Sequence, residues 1–334
     1  MNNLVSLDKR TGVDVSGKMN LADVMCTAGL DFDVESVPCF TPEGNEVPGK
    51  FLIRRSDCQT VFGVVGKKYN VIPLEDMLAP FHRMVTQFGA TYETAGLIKN
   101  GKKCWISAKL PDTIKLQNRP NDEISRRILC LINNDGSGSN TYLSVANRLV
   151  CNNQMGLIKH HASKSKYRVG HVSSWEDKLV EVQLGFEGMI SLHKEFEYNA
   201  NKLESIKMKE EEMRGFAVQL LPEQNYEYQK KITDNDKIQR SLTRLNVKRE
   251  ALVDLFSKGA GNLGLSRWDA LNAVTEFQDH HHQINRVMNE KTGAIHAEKR
   301  FVNNVINGSG TRLKDRAMRL LLNQKKFEKI KAFA

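Results

Sequence analysis

The chain has 334 residues, a mean hydropathy of -0.45 and 26% charged residues, so it can bury a sizeable core and has the composition of a soluble globular protein. Its 49 Lys and Arg against 39 Asp and Glu leave a formal charge of +10, which favours a polyanionic partner, most simply nucleic acid. No window approaches 18 uninterrupted apolar residues and the first residues form no apolar signal core, so neither a membrane partner nor secretion is expected, and the cytoplasm of a bacterial host is the expected location.

The six cysteines, Cys26, Cys39, Cys58, Cys104, Cys130 and Cys151, contain no CxxC pair, which argues against a disulfide framework or a cysteine-rich zinc site. Much of the excess positive charge sits at the end of the chain, where residues 299–334 hold ten Lys or Arg against two acids.

Residues 1–50 are weakly patterned and punctuated by Gly12, Gly17, Pro38, Pro42, Gly44, Pro48 and Gly49, and they read as an arm with one short helix near Asn20–Ala28. From Phe51 the pattern firms. Phe51–Arg54 and Val61–Val65 read as strands, followed by a helix from Pro73 to about Phe88 that Pro80 should kink or restart. Thr91–Ile98 and Cys104–Leu110 flank Asn100-Gly101, a strong hairpin signal. Residues 111–120 read as a loop or irregular strand. A second hairpin follows, with Ile128–Ile132 and Thr141–Val150 around the turn Asn133–Asn140.

At Ser173 the character changes. Trp175, Leu179, Val182, Phe186, Met189, His193, Phe196, Ala200 and Leu203 keep a seven-residue repeat, which predicts one long helix lying along a partner helix. Further helices are expected over 234–258, 266–290 and 311–333. The expected fold is therefore α+β: a curved antiparallel hairpin sheet packed on helices over residues 51–172, then a mostly helical region over 173–334.

Gly136-Ser137-Gly138 lacks phosphate-loop spacing and lies between strands, so it reads as a connector; the glycines at 259, 261 and 264 join two helices, which excludes a dinucleotide site. His280-His281-His282 reads as a half-buried cluster in preference to a metal site. No Ser-His-Asp order, nucleophile elbow or HExxH stands out, so no cofactor and no metal are expected.

The basic features carry the functional expectation. Lys99, Lys102 and Lys103 occupy one hairpin tip beside Trp105, Arg126 and Arg127 begin the next strand, and Arg148 ends its partner. Lys159, Lys164, Lys166 and Arg168 follow on a basic arm, with Tyr142 and Tyr167 nearby. Cations along a backbone with aromatics for the bases are the ingredients of a single-strand groove.

Several motifs carry a family resemblance: Gly66-Lys-Lys-Tyr69-Asn-Val, Gly101-Lys-Lys-Cys104-Trp105, Asn134-Asp135-Gly136, Arg148-Leu-Val-Cys151-Asn-Asn-Gln154, Lys159-His-His161 and Trp268-Asp-Ala-Leu-Asn-Ala-Val-Thr-Glu276. Over roughly residues 50–320 the chain resembles the phage/plasmid-like protein family of unknown function. That resemblance implies a phage, prophage or plasmid setting. In layout alone the chain is similar to ring-forming single-strand annealing proteins of the Red-beta and Erf type.

The first expectation is thus a single-stranded DNA-binding and annealing protein acting as a homo-oligomer. A protein-interaction factor of a mobile element is the alternative, and a metal-assisted nuclease using Glu276, Asp279 and His280 is the third.

Overall fold

A computed structural model of the protein describes residues 7–157, 167–223, 235–281, 297–306 and 308–331. Alternating apolar residues in the middle of the chain build its main sheet. β1 (Val13–Asp14), β5 (Thr91–Ile98), β6 (Lys103–Leu116), β7 (Arg119–Asn133), β8 (Asn140–Arg148) and β10 (Arg168–Val169) lie in that spatial order, all antiparallel. β9 (Asn153–Leu157) also pairs with β8, along Ser144–Arg148, so β9 and β10 share its outer edge in succession.

A separate three-stranded sheet orders β2 (Val34–Phe40), β3 (Glu46–Arg55) and β4 (Val61–Gly66). The boundary expected at residue 50 therefore falls inside β3, and the segment before it supplies strands to both sheets. These strands are hard to read because β2 buries none of its residues completely, which leaves little alternation in its sequence.

The stretch expected as a loop or irregular strand over 111–120 is the latter, a continuation of the β6–β7 ladder. Its register breaks between Lys109 and Thr113 and again between Lys115 and Leu116. Pro111 lies within the first break and Pro120 within the second. A bulge asks for no ladder N–H from proline, and it bends the hairpin.

Each face of the main sheet is covered. On one face Cys104, Ile106, Cys130, Ile132 and Tyr142 pack with Met77, Phe81 and Met84 of α3 (Leu74–Gln87) and with Phe186 and Met189. Helix α3 runs unbroken through Pro80. On the other face Trp105, Leu129, Leu131, Leu143 and Val145 meet Phe301 and Val305, the latter in the π-helical segment Val302–Ile306.

The expected heptad helix is two helices, α4 (Trp175–Leu184) and α5 (Phe186–Ser205), with Gly185 between them. Its repeat is a buried face. Leu179, Val182, Phe186, Met189, His193, Phe196, Ala200 and Leu203 are all buried, but much of that face lies on the sheet and not along one partner helix. Ser144 donates to the Met189 carbonyl at 2.7 Å, and His193 Nε2 donates to the Arg127 carbonyl at 3.1 Å. Gly185 and Gly188 admit Tyr167: a Cβ at Gly188 would lie 2.8 Å from its hydroxyl oxygen.

A helical cluster completes the fold. α6 (Glu210–Leu220), α7 (Asn235–Lys258), α8 (Arg267–Glu276) and α9 (Ser309–Leu322) bury Met213, Phe216, Leu252, Phe256, Trp268, Leu271 and Leu321 together with the far end of the sheet. α10 (Gln324–Lys331) adds Phe327. The shorter helices α1 (Leu7–Thr11) and α2 (Leu21–Ala28) precede β2. Among the described residues no helix is long and apolar enough to cross a membrane.

Candidate functional site

The two hairpin tips adjoin. β6 and β7 are neighbours, so Lys103 stands directly opposite Asn133, and the β7–β8 loop folds over the β5–β6 turn. That turn needs left-handed backbone at Lys99, Asn100 and Gly101 (φ 50, 58 and 104), which Asn-Gly supplies most easily. The Asn134 N–H donates to the Lys102 carbonyl at 2.8 Å, and its side-chain amide donates to the Gly101 carbonyl at 2.9 Å.

The β7–β8 loop is braced from within. Asn133 donates its N–H to Asn140 Oδ1 and its side-chain amide to the Ser139 carbonyl, and the Ser137 N–H donates to the Asp135 carboxylate at 2.9 Å. Strand β4 supports it from outside, since a Cβ at Gly63 would lie 2.5 Å from the Asp135 carbonyl oxygen. Tyr69 also stands under the loop, its ring stacked on His171 at 4.4 Å, while His171 Nδ1 contacts the Asn70 carbonyl. Burial lowers the pKa of that imidazole, so His171 is neutral near pH 7.

Between this loop and β10 lies a cleft of about 350 Å³. Lys103, Asn133, Ser137, Ser139, Thr141 and Arg168 supply its polar lining, Gly138 contributes open backbone, and Leu131 and Val302 form the apolar part. Lys103 Nζ donates to Asn133 Oδ1 and, at 2.9 Å, to the Ser137 hydroxyl, with the Asp135 carboxylate 3.7 Å away. Burial draws the Lys103 ammonium below its ordinary pKa, against the pull of Asp135. Burial works against the Asp135 charge in turn, yet hydrogen bonds from Ser137 and the nearby lysines hold this carboxyl below the usual range. Two cations, hydroxyls and loop backbone around a polar hollow make an arrangement suited to an oxyanion.

The thirteen expected contact residues separate into groups. Lys103 and Arg168 line the cleft, while Lys99, exposed, and Lys102, half-buried, stand on the adjoining tip. Arg126 lies apart, with its guanidinium on Asp112 at 2.6 Å.

Four expected contacts are corrected by burial. Trp105 is fully buried against Phe301, with ring centroids 4.7 Å apart, and Gly12 and Gly96 make room for its indole. Tyr142 is buried and donates to the Met77 carbonyl at 2.6 Å. Neither ring offers a face to a base.

Arg127 is buried between Asp8 and Glu93. Arg148 is buried too: it grips Asp122 with two nitrogens at 2.7 and 2.6 Å and donates to the Ala260 and Gly261 carbonyls and Asn262. Their strands are buried on both faces, so an arginine there answers an internal carboxylate.

Tyr167 is half-buried beneath α4 and α5, and Lys159, Lys164 and Lys166 lie outside the described residues.

The nuclease trio is occupied by structural contacts. Glu276 accepts from the Ala260 N–H at 3.0 Å and meets His281 at 3.3 Å. Asp279 accepts from the Gln154 N–H and pairs with Lys314, whose ammonium is fully buried and also donates to the Gln154 and Asn304 carbonyls. Among the described residues no group of three or more His, Cys, Asp or Glu could hold a metal ion. Sequence reasoning missed Asn133, Ser137, Gly138, Ser139 and Thr141 as lining residues; their signal was the Asn-Asp-Gly-Ser-Gly-Ser-Asn run, set aside as a connector.

A family described as Domain of unknown function (DUF932) matches residues 61–316. The chain belongs to that family. The DUF932 match runs from β4 into α9, so it takes in the cleft, the Arg148–Asp122 pair and the Lys314–Asp279 pair. No curated protein and no solved structure matches the chain. The family's description assigns no chemistry, which leaves the cleft and the distribution of charge to argue function.

Proposed function

We propose that the protein binds the phosphate backbone of nucleic acid, single-stranded DNA foremost, in the cleft between the β7–β8 loop and β10, in the service of a phage or other mobile element. The observation that carries the reading is the placement of Lys103 and Arg168 on one polar hollow beside the exposed Lys99 tip. The formal charge of +10 supports it at the level of the whole chain. The mobile-element setting rests on the motif resemblance alone.

The burial of Trp105 and Tyr142 narrows the reading, because among the described residues that line the hollow none is aromatic. What remains is recognition of the backbone, which is indifferent to base and sensitive to salt.

Fluorescence anisotropy with labelled oligothymidylate at 50 and 200 mM salt tests the reading. Binding that weakens with salt, and weakens further in Lys103→Ala and Arg168→Ala, is expected. A wild-type protein that leaves the oligonucleotide free at low salt, or binds it without salt dependence, overturns it.

A further inference from the structure

Among its described side chains, helix α7 is anchored by its second half. From Arg249 onward it buries Leu252, Val253 and Phe256 in the helical cluster, whereas every residue from Gln239 to Lys248 is exposed or half-exposed. Arg249 fixes the junction: its Nε and one terminal nitrogen donate to the Leu221 carbonyl at 3.1 and 2.8 Å, and the other donates to Asn246 at 3.1 Å.

On the exposed half, Arg240, Arg244 and Lys248 recur every four residues. A helix turns about 100° per residue, so the three fall on one stripe about 80° wide, with a rise of about 6 Å per step. The same four-residue series continues through Leu252 and Phe256, where its slow turn carries it into the helical cluster, while Leu242 lies on the opposite side of the exposed half.

Like charges four residues apart repel along a helix, and no Asp or Glu lies between Gln239 and Lys248. Among the described residues none of the three cations is in an ion pair. Of the described carboxylates nearby, Glu210 and Glu250 are engaged by Arg214 and Asp254 by Lys258. Three cations in register with no acid among them, on the exposed part of an anchored helix, form a surface complementary to a polyanion.

We infer that the exposed half of α7 is a second nucleic-acid contact, in which Arg240, Arg244 and Lys248 take successive phosphates of one strand. This rests on the nucleic-acid reading above but on a different element and different residues. The step along the stripe is on the scale of the phosphate separation in an extended strand. An anionic membrane suits the stripe less well, because interfacial helices flank their cations with apolar residues. Between Gln239 and Lys248, Val247 is the one large apolar neighbour on that side.

The test uses the full chain carrying Arg240→Gln, Arg244→Gln and Lys248→Gln together, since glutamine keeps helix propensity while removing charge. Labelled oligothymidylate is titrated across a salt series, and circular dichroism checks the fold. Each lost phosphate contact lowers the log–log salt slope for a single strand by about 0.7, so the triple variant is expected to flatten it by about 2. Arg244→Gln alone is expected to flatten it by about 0.7.

Wild-type affinity and slope in the triple variant would overturn the inference while leaving the cleft reading intact. Failure of the wild type to bind the oligonucleotide would remove both. Loss of binding to phosphatidylserine vesicles, with strand binding unchanged, would overturn the inference by showing that the stripe serves a membrane.

Discussion

A cation can greet a ligand only if its own protein leaves it donors to spare. Arg148 has none: carboxylate, carbonyl and amide oxygens surround it, and it is 3% exposed. Arg148→Ala would strand Asp122 as an unpaired buried charge, so we expect a loss of about 3–5 kcal/mol in urea unfolding. Arg168, exposed on the rim of the cleft, should show the reverse. Arg168→Ala is expected to change stability by less than about 0.5 kcal/mol while weakening oligonucleotide binding. Equal stability losses in the two variants would show that the two arginines do not divide into structural and ligand-facing classes. In sequence they look alike. Each stands at a strand end, Arg148 closing β8 and Arg168 opening β10, and only the facing carboxylate, 26 residues away in the case of Asp122, tells them apart.

The hairpins were legible because their signals are local. Asn100-Gly101 demands left-handed backbone, and alternation in the flanking runs fixes which side chains face inward. The shape of the loop beyond Asn133 was not legible, because β4, about seventy residues earlier in the chain, supports it. That support gives a prediction. Gly63→Ala would place a methyl group 2.5 Å from the Asp135 carbonyl oxygen, so strand or loop must shift. We expect a cost of about 1–3 kcal/mol in thermal or urea unfolding, together with weaker strand binding as Ser137 moves off Lys103. Gly66→Ala in the same strand is the control, since a Cβ there meets nothing within 4 Å. If both variants bind and unfold alike, the β4 contact does not shape the cleft. The heptad repeat teaches the same limit from the other side. Its period was read correctly, but periodicity names a buried face without naming what buries it, and here the sheet takes much of the place of a partner helix.

At the scale of the whole molecule, the α+β class follows from the order of hairpins and then helices, and the sequence shows that order plainly. It does not show how the two halves are joined through polar groups in the interior. His193 is one such joint, set where α5 crosses the sheet and donating from Nε2 to the Arg127 carbonyl. Burial, with a smaller contribution from the Arg126 charge, pushes its pKa down to about 3. The imidazole is therefore neutral in the fold across the ordinary range, while in the unfolded chain it protonates near pH 6.5. The unfolded state binds the extra proton between those two values. The stability tied to neutral His193 is thus complete above pH 6.5 and drains away as the pH falls toward 3. Over the 1.5 units from pH 6.5 to 5 the loss amounts to about 2 kcal/mol at 1.36 kcal/mol per unit. His193→Gln keeps an N–H donor for Arg127 but cannot take up a proton. We therefore expect its urea-unfolding free energy to fall less than that of the wild type between pH 7 and pH 5, by about 2 kcal/mol. Parallel pH profiles for the two proteins would show that His193 titrates in the fold as it does in the open chain, and that the junction of α5 with the sheet admits water.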